Sequence, residues 1–157
     1  MIKLLSHLSF VAITAPDVEA SVRFYTELFG ATPVATPNFG GILAWLQLGD
    51  SQIHIFQRGE GWDRDAHFAL EVDDFEAIYR KAESMGAFDD KGNWGHHIFS
   101  LASGVVQLYV RDPANNLIEI VFHSVEALPA DIAAVVQSRA AQHPQTEESA
   151  RATFFTR

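Results

Sequence analysis

Residues 10–31, FVAITAPDVEASVRFYTELFGA, return in altered form at residues 67–87, HFALEVDDFEAIYRKAESMGA. Each copy opens on an apolar run of strand character, reaches an Asp, and continues into an amphipathic stretch that ends at Gly. Asp17 and Asp74 are N-cap residues, their carboxylates suited to accept the free N–H groups of a first helical turn. Val18, Val22, Tyr25 and Phe29 predict the buried stripe of the first helix, and Phe75, Ile78, Tyr79 and Ala82 that of the second. Gly30 and Gly86 stand where a left-handed C-terminal cap is wanted. Aligning Asp17 with Asp74 places Phe10 over His67.

The likeness continues beyond the helices. Turn-rich stretches, TPVATPNFGG (32–41) and FDDKGNWG (88–95), each lead to a pair of strand candidates. In the first half LAWLQL (43–48) passes through GDS into QIHIFQ (52–57). In the second, VVQLYV (105–110) passes through RDPANN into LIEIVF (117–122). The order strand–helix–strand–strand–strand therefore occurs twice. This predicts an α+β protein with residues 1–124 as one domain of two βαβββ modules, about 6–62 and 65–123.

The rest of the composition narrows the function. At 157 residues and 48% hydrophobic, the chain has ample material for one core. The absence of cysteine removes thiolate nucleophiles, Cys-ligated zinc and disulfides. A formal charge of −9 argues against nucleic acid and anionic membranes as partners. No apolar run approaches the ~20 residues of a membrane-spanning helix. LLSHLSFVAITA (4–15) has some character of a signal-peptide core, but a His interrupts it and it runs straight into a helix start. The expectation is a cytoplasmic protein.

Within the repeat, RDPANNLIEIVFH (111–123) sets Glu119 in an apolar run that reads as a strand buried on both faces. A buried carboxylate takes up a proton, finds a cation or binds a metal. The triplets Ile53-His54-Ile55 and Ile118-Glu119-Ile120 occupy equivalent places, and His67 opens the second module. By strand alternation His67 shares a face with Ala69 and Glu71, and small Ala12 and Ala69 leave space beside Phe10 and His67. Singly, each polar residue is a common strand residue. Together, two imidazoles and a carboxylate suit a divalent metal with positions left open for water or substrate.

These stretches, RDPANNLIEI above all, resemble the vicinal oxygen chelate superfamily, which includes glyoxalase I, extradiol dioxygenases, fosfomycin resistance enzymes and bleomycin-binding proteins. The resemblance covers about residues 6–123. It implies paired modules forming a cupped mixed sheet around one divalent metal ion (Zn, Ni, Mn or Fe), with ligands from the first and last strands of each module. Carried over, His67 and Glu119 are ligands of the second module and His54 the last-strand ligand of the first. The remaining first-strand position is Phe10, which cannot ligate. His7, three residues earlier, reaches the same face only through a β-bulge.

That departure leaves two kinds of function open. One is a metal-dependent enzyme on a small oxygenated substrate: a glyoxalase-like lyase or isomerase with Glu119 as catalytic base and an enediolate-like state, or an extradiol-type dioxygenase. The other is a metal-free protein binding a small, antibiotic-like molecule. In either case Phe10, Trp45, Phe56, Trp94 and Tyr109 are the substrate-binding candidates, with Phe39 a further aromatic and Gln107 beside Tyr109. His96 and His97 read as a general base or as ordinary loop residues, and Glu71 as an acid orienting an imidazole or a surface charge. His123 has no assigned role. LPADIAAVVQSRAAQ (128–142) predicts a C-terminal helix within 125–142, its apolar stripe of Ile132, Val135 and Val136 covering the sheet or a second subunit of a homodimer. Residues 143–157 read as a mobile tail, with Phe154 and Phe155 as its apolar anchors.

Overall fold

The computed structural model describes residues 10–36, 41–59, 67–92 and 94–150. His7, Phe39, Phe154 and Phe155 lie outside the described residues. The chain forms two compact units, residues 1–66 with 112–116, and residues 67–111 with 117–157.

In the first unit, β1 (Phe10–Ala15) leads to α1 (Val18–Phe29), then β2 (Thr32–Val34), β3 (Leu43–Leu48) and β4 (Ser51–Gln57). The strands order as β1-β4-β3-β2, with β1 parallel to β4 and the other pairs antiparallel. Asp17 Oδ1 caps α1 by accepting from Ala20 N at 2.9 Å. Gly30 closes the helix in the left-handed region at φ 68°. The buried stripe is rotated from the expected one: Val18, Ser21, Phe24, Tyr25 and Leu28 are buried, while Val22 and Phe29 are half-buried. Ser21 is fully enclosed, its small side chain suited to close packing against the helix.

The DPANN turn, residues 112–116, packs with this first unit. Asp112 is buried, and its Oδ1 accepts from Ala114 N at 2.9 Å and Asn116 N at 2.8 Å. Its Oδ2 accepts from Asn116 Nδ2 at 2.8 Å and the Tyr25 hydroxyl at 3.1 Å. Asn116 Nδ2 also donates to Thr14 O at 3.0 Å. Asn115 holds the left-handed conformation, φ 66°, which its short amide tolerates.

The second unit repeats the pattern with β5 (His67–Glu71), α2 (Phe75–Ser84), β6 (Ile98–Ser100), β7 (Val106–Arg111) and β8 (Leu117–Phe122). Asp74 caps α2 through Ala77 N at 3.0 Å. Beyond its end, Gly86 N and Ala87 N donate to Glu83 O and Ala82 O around a left-handed Gly86, the Schellman arrangement. The strands order as β5-β8-β7-β6-β9, the last a two-residue strand, Gln137–Ser138. Each module thus makes its own mixed sheet, the pairs β1–β4 and β5–β8 being parallel. The register also repeats: Ala12 faces His54 as Ala69 faces Glu119, and Trp45 faces His54 as Tyr109 faces Glu119.

The C-terminal segment departs from the expected single helix over 125–142. A 3-10 turn at Val125–Ala127 precedes the short α3 (Ala130–Ala133), β9 (Gln137–Ser138), α4 (Arg139–Gln142) and α5 (Glu147–Ala150). Two causes, one local and one long-range, account for the break. The β-branched pair Val135-Val136 is a poor helix continuation, and β6 offers a free edge on which Gln137 and Ser138 pair in parallel with Phe99 and Ser100. Ile132 is buried, Arg80 pairs with Asp131 at 2.6 Å, and His96 Nε2 donates to Val135 O at 2.7 Å. Residues 147–150 of the expected tail are helical. No helix among the described residues is long and apolar enough to cross a membrane.

Candidate functional site

The second sheet has one face turned toward α2, where Phe75 meets Phe122 with ring centroids 5.5 Å apart. Strand alternation puts Ile118 and Ile120 on that face and Leu117, Glu119 and Val121 on the other. Directly opposed residues share a face, so Ala69 of β5 and Tyr109 of β7 flank Glu119 there. His67 lies two positions before Ala69 and Gln107 two before Tyr109, which brings four polar side chains together on one side.

Glu119 is 3% exposed. Gln107 Nε2 donates to its Oε1 at 2.9 Å; the Tyr109 hydroxyl donates to its Oε2 at 3.4 Å. The imidazole Nε2 of His67 stands 3.1 Å from the same Oε2. No Lys or Arg among the described residues lies within ion-pair distance of Glu119. A buried carboxylate thus has two neutral donors and one imidazole for partners, the last with 31% of its side chain exposed. Burial, reinforced by the Glu119 charge, pushes the Tyr109 phenol well above its ordinary value, so it keeps its proton at neutral pH. Trp94 packs on Tyr109 at 4.4 Å and meets His67 edge-on at 6.1 Å. Tyr109, Phe99 and Leu117 form the apolar cluster beneath.

At the matching positions of the first sheet the chemistry is aromatic. Phe10 stacks on His54 with centroids 4.1 Å apart, and Trp45 lies on the ring's other side at 3.9 Å, nearly parallel at 3°. His54 is buried. Its tautomer follows from a chain of amides. Gln47 Nε2 donates to Gly49 O at 2.7 Å, Gln52 Nε2 donates to Gln47 Oε1 at 3.2 Å, and Gln52 Oε1 therefore accepts from His54 Nε2 at 2.9 Å. His54 Nδ1 is left as the nitrogen with the lone pair. Burial lowers the pKa of this ring and favours the neutral form. Phe56 is half-buried on the same face of β4.

The other candidates have local tasks. His97 Nδ1 hydrogen-bonds Asp90 Oδ1 while its ring stacks on Phe88 at 4.1 Å. His96 holds the C-terminal segment through Val135 O. Ligating atoms of Asp90, His96 and His97 lie within 4.8 Å of one another, a second set of metal-type donors. Glu71 stands 2.8 Å from His123 Nε2. Arg139 escaped the reading of the sequence, which placed it inside a helix. Ser138 caps α4 through Ala141 N at 3.2 Å, and the Arg139 guanidinium carbon lies 3.5 Å from the centroid of Phe99 and 5.8 Å from that of Trp94. No motif announces this position; it follows from the strand added at β6.

The donor chemistry of His67 and Glu119 fits a divalent ion. A buried carboxylate whose other contacts are neutral gains a partner for its charge, and the neighbouring imidazole is a common ligand. Residues 6–120 match a model of the glyoxalase/bleomycin resistance protein/dioxygenase superfamily. Among solved structures, a glyoxylase/bleomycin resistance protein/dioxygenase domain from Frankia sp. EAN1pec is similar with TM-score 0.63 at 22% identity, over 76% of this chain and 98% of that one. Lactoylglutathione lyase from Agrobacterium tumefaciens is similar at TM-score 0.61 and 22% identity, over 80% of this chain and 100% of that one. The fosfomycin resistance protein FosX from Mesorhizobium loti gives TM-score 0.54 at 23% identity, over 76% and 91%. At these identities the likeness is one of fold. None of the curated proteins compared with the chain matches it.

Proposed function

The chain belongs to the glyoxalase/bleomycin resistance protein/dioxygenase superfamily, and from that premise we propose that it is a divalent-metal-dependent lyase or isomerase of the glyoxalase type. Its substrate is a small molecule with two adjacent oxygens. The observation that carries the reading is Glu119, a buried carboxylate with neutral hydrogen-bond donors and the His67 imidazole as partners.

In this proposal His67 and Glu119 hold the ion. His54, the expected third ligand, holds in β4 the position that Glu119 holds in β8, and its Nδ1 carries the lone pair. The ion supplies Lewis acidity toward a substrate oxygen, a contribution of several kcal/mol. Glu119 takes a proton from the substrate carbon beside the carbonyl and returns it to the neighbouring carbon. Gln107 keeps Oε1 oriented throughout. Tyr109, protonated at neutral pH, donates a hydrogen bond to the oxygen on which charge develops. Trp94 and Phe99 exclude water from the reacting carbons. We extend the proposal to a homodimer, to be tested by the solution mass at micromolar concentration.

The deciding experiment is elemental analysis of protein purified without chelator, with His67→Ala as comparison. About one equivalent of metal in the wild type, lost in the variant, supports the enzyme. A specific observation favours a second reading, a metal-free binder: the Phe10–His54–Trp45 stack offers aromatic surface where a ligand set would otherwise stand. Wild-type protein that takes up none of Zn, Ni, Mn or Fe supports that reading instead.

A further inference from the structure

We propose that Arg139 selects an anionic substrate for the His67–Glu119 site, by pairing with a carboxylate or phosphate carried beside the reacting oxygens. This rests on the enzyme reading above and adds the substrate class to it. Three observations converge. The first is placement. β9 joins the free edge of β6 at Phe99 and Ser100, and the next residue, Arg139, sets its guanidinium over Phe99, a member of the same apolar cluster as Tyr109. Trp94 lies beside the guanidinium at 5.8 Å, touches Tyr109, and meets His67 edge-on. Arg139 also acts on the Tyr109 hydroxyl, through its charge and a hydrogen bond.

The second observation is that the cation has no counter-charge among the described residues. Among the described residues no carboxylate lies within ion-pair distance of Arg139, and Glu119 is bonded instead by Gln107, Tyr109 and His67. A half-buried Arg139 stacked on aromatic rings keeps for a ligand the in-plane N–H donors that are not turned to Tyr109. That fork matches the two oxygens of a carboxylate or phosphate. The third is charge balance. A chain of net charge −9 repels small anions over most of its surface, so an anionic substrate needs a local cation at the site. Arg139 stands beyond residue 120, where the family match ends, so this selectivity belongs to the chain's own C-terminal segment.

The test is calorimetric titration of metal-supplemented wild type and Arg139→Gln with mandelate, its neutral methyl ester, and phenyl phosphate. The wild type is expected to bind mandelate or phenyl phosphate at least tenfold more tightly than the ester. Arg139→Gln is expected to lose that preference while binding the ester unchanged, which also shows that the variant keeps its site. Arg139→Lys is expected to retain part of the preference, since it keeps the charge without the fork. Tighter binding of mandelate than of phenyl phosphate assigns carboxylate as the anion; the reverse assigns phosphate. Equal affinity for acid and ester in the wild type, no binding of any of the three, or a preference that survives in Arg139→Gln overturns the proposal. Binding is read without turnover, so absent metal in the wild type would sink the enzyme reading and leave the anion result to be judged separately.

Discussion

Tyr109 and Glu119 face each other directly across β7 and β8, with the phenol oxygen 3.4 Å from Oε2. The contact is long for a hydrogen bond to a carboxylate. It leaves the phenol proton available to a second acceptor placed beside it. Burial and the Glu119 charge keep that proton in place through neutral pH.

Tyr109→Phe is therefore expected to reduce turnover by about 10²-fold, the loss typical of one oxyanion donor, with metal content unchanged. The assay is kcat on whichever of a panel of hemithioacetals and 2-oxo acids the wild type converts. Unaltered kcat would remove Tyr109 from the reaction.

Glu119→Gln separates two roles of one side chain. Glutamine still offers a carbonyl oxygen to an ion but cannot take up a proton, so turnover is expected to fall about 10²-fold or more. Metal content, measured on the same preparation, is expected to fall less than in His67→Ala. Full activity would show that Glu119 is not the base.

His54 makes stability depend on pH. Burial lowers its pKa below the unfolded value of 6.5, so the folded chain favours the neutral ring. Its contribution is present above that value and is lost as pH falls through the folded pKa. The urea midpoint of the wild type should accordingly drop more between about pH 8 and about pH 5 than that of His54→Phe. Parallel curves would refute the assignment.

Asp112→Ala is expected to cost about 3 kcal/mol of unfolding free energy, because it strands the buried Tyr25 hydroxyl and two backbone N–H groups that the carboxylate accepts. Tyr25→Phe, which removes one of those partners, should cost about 1–2 kcal/mol. Denaturant melts of both variants check the ranking; a smaller loss for Asp112→Ala than for Tyr25→Phe would contradict it.

Much of this architecture is visible in the amino-acid order, for physical reasons. Asp17 and Asp74 are locally determined caps, and the offset between them pairs Phe10 with His67, while the triplets Ile53-His54-Ile55 and Ile118-Glu119-Ile120 pair His54 with Glu119. The helix stripe was less legible. Ser21 counts as polar in a periodicity, yet it is enclosed because its small side chain suits a close contact, while Phe29 at the helix end stays half-buried. The C-terminal segment is illegible for a different cause. Its apolar spacing suits a helix, but pairing with the β6 edge is a long-range event that no local pattern records. Arg139 was hidden with it.

The two hairpin turns differ in a way that bears on how such a repeat can be cut. In the first module Gly49 and Asp50 alone join β3 to β4. In the second, residues 112–116 leave β7, pack with the first unit and return as β8. The second half therefore has the tip of its central hairpin fastened by Tyr25 and Thr14 of the first half. Expressed as separate polypeptides, the halves would not be equivalent: the C-terminal piece would carry Asp112 and Asn116 without those partners. Unfolding of the first half should therefore release the turn at residues 112–116.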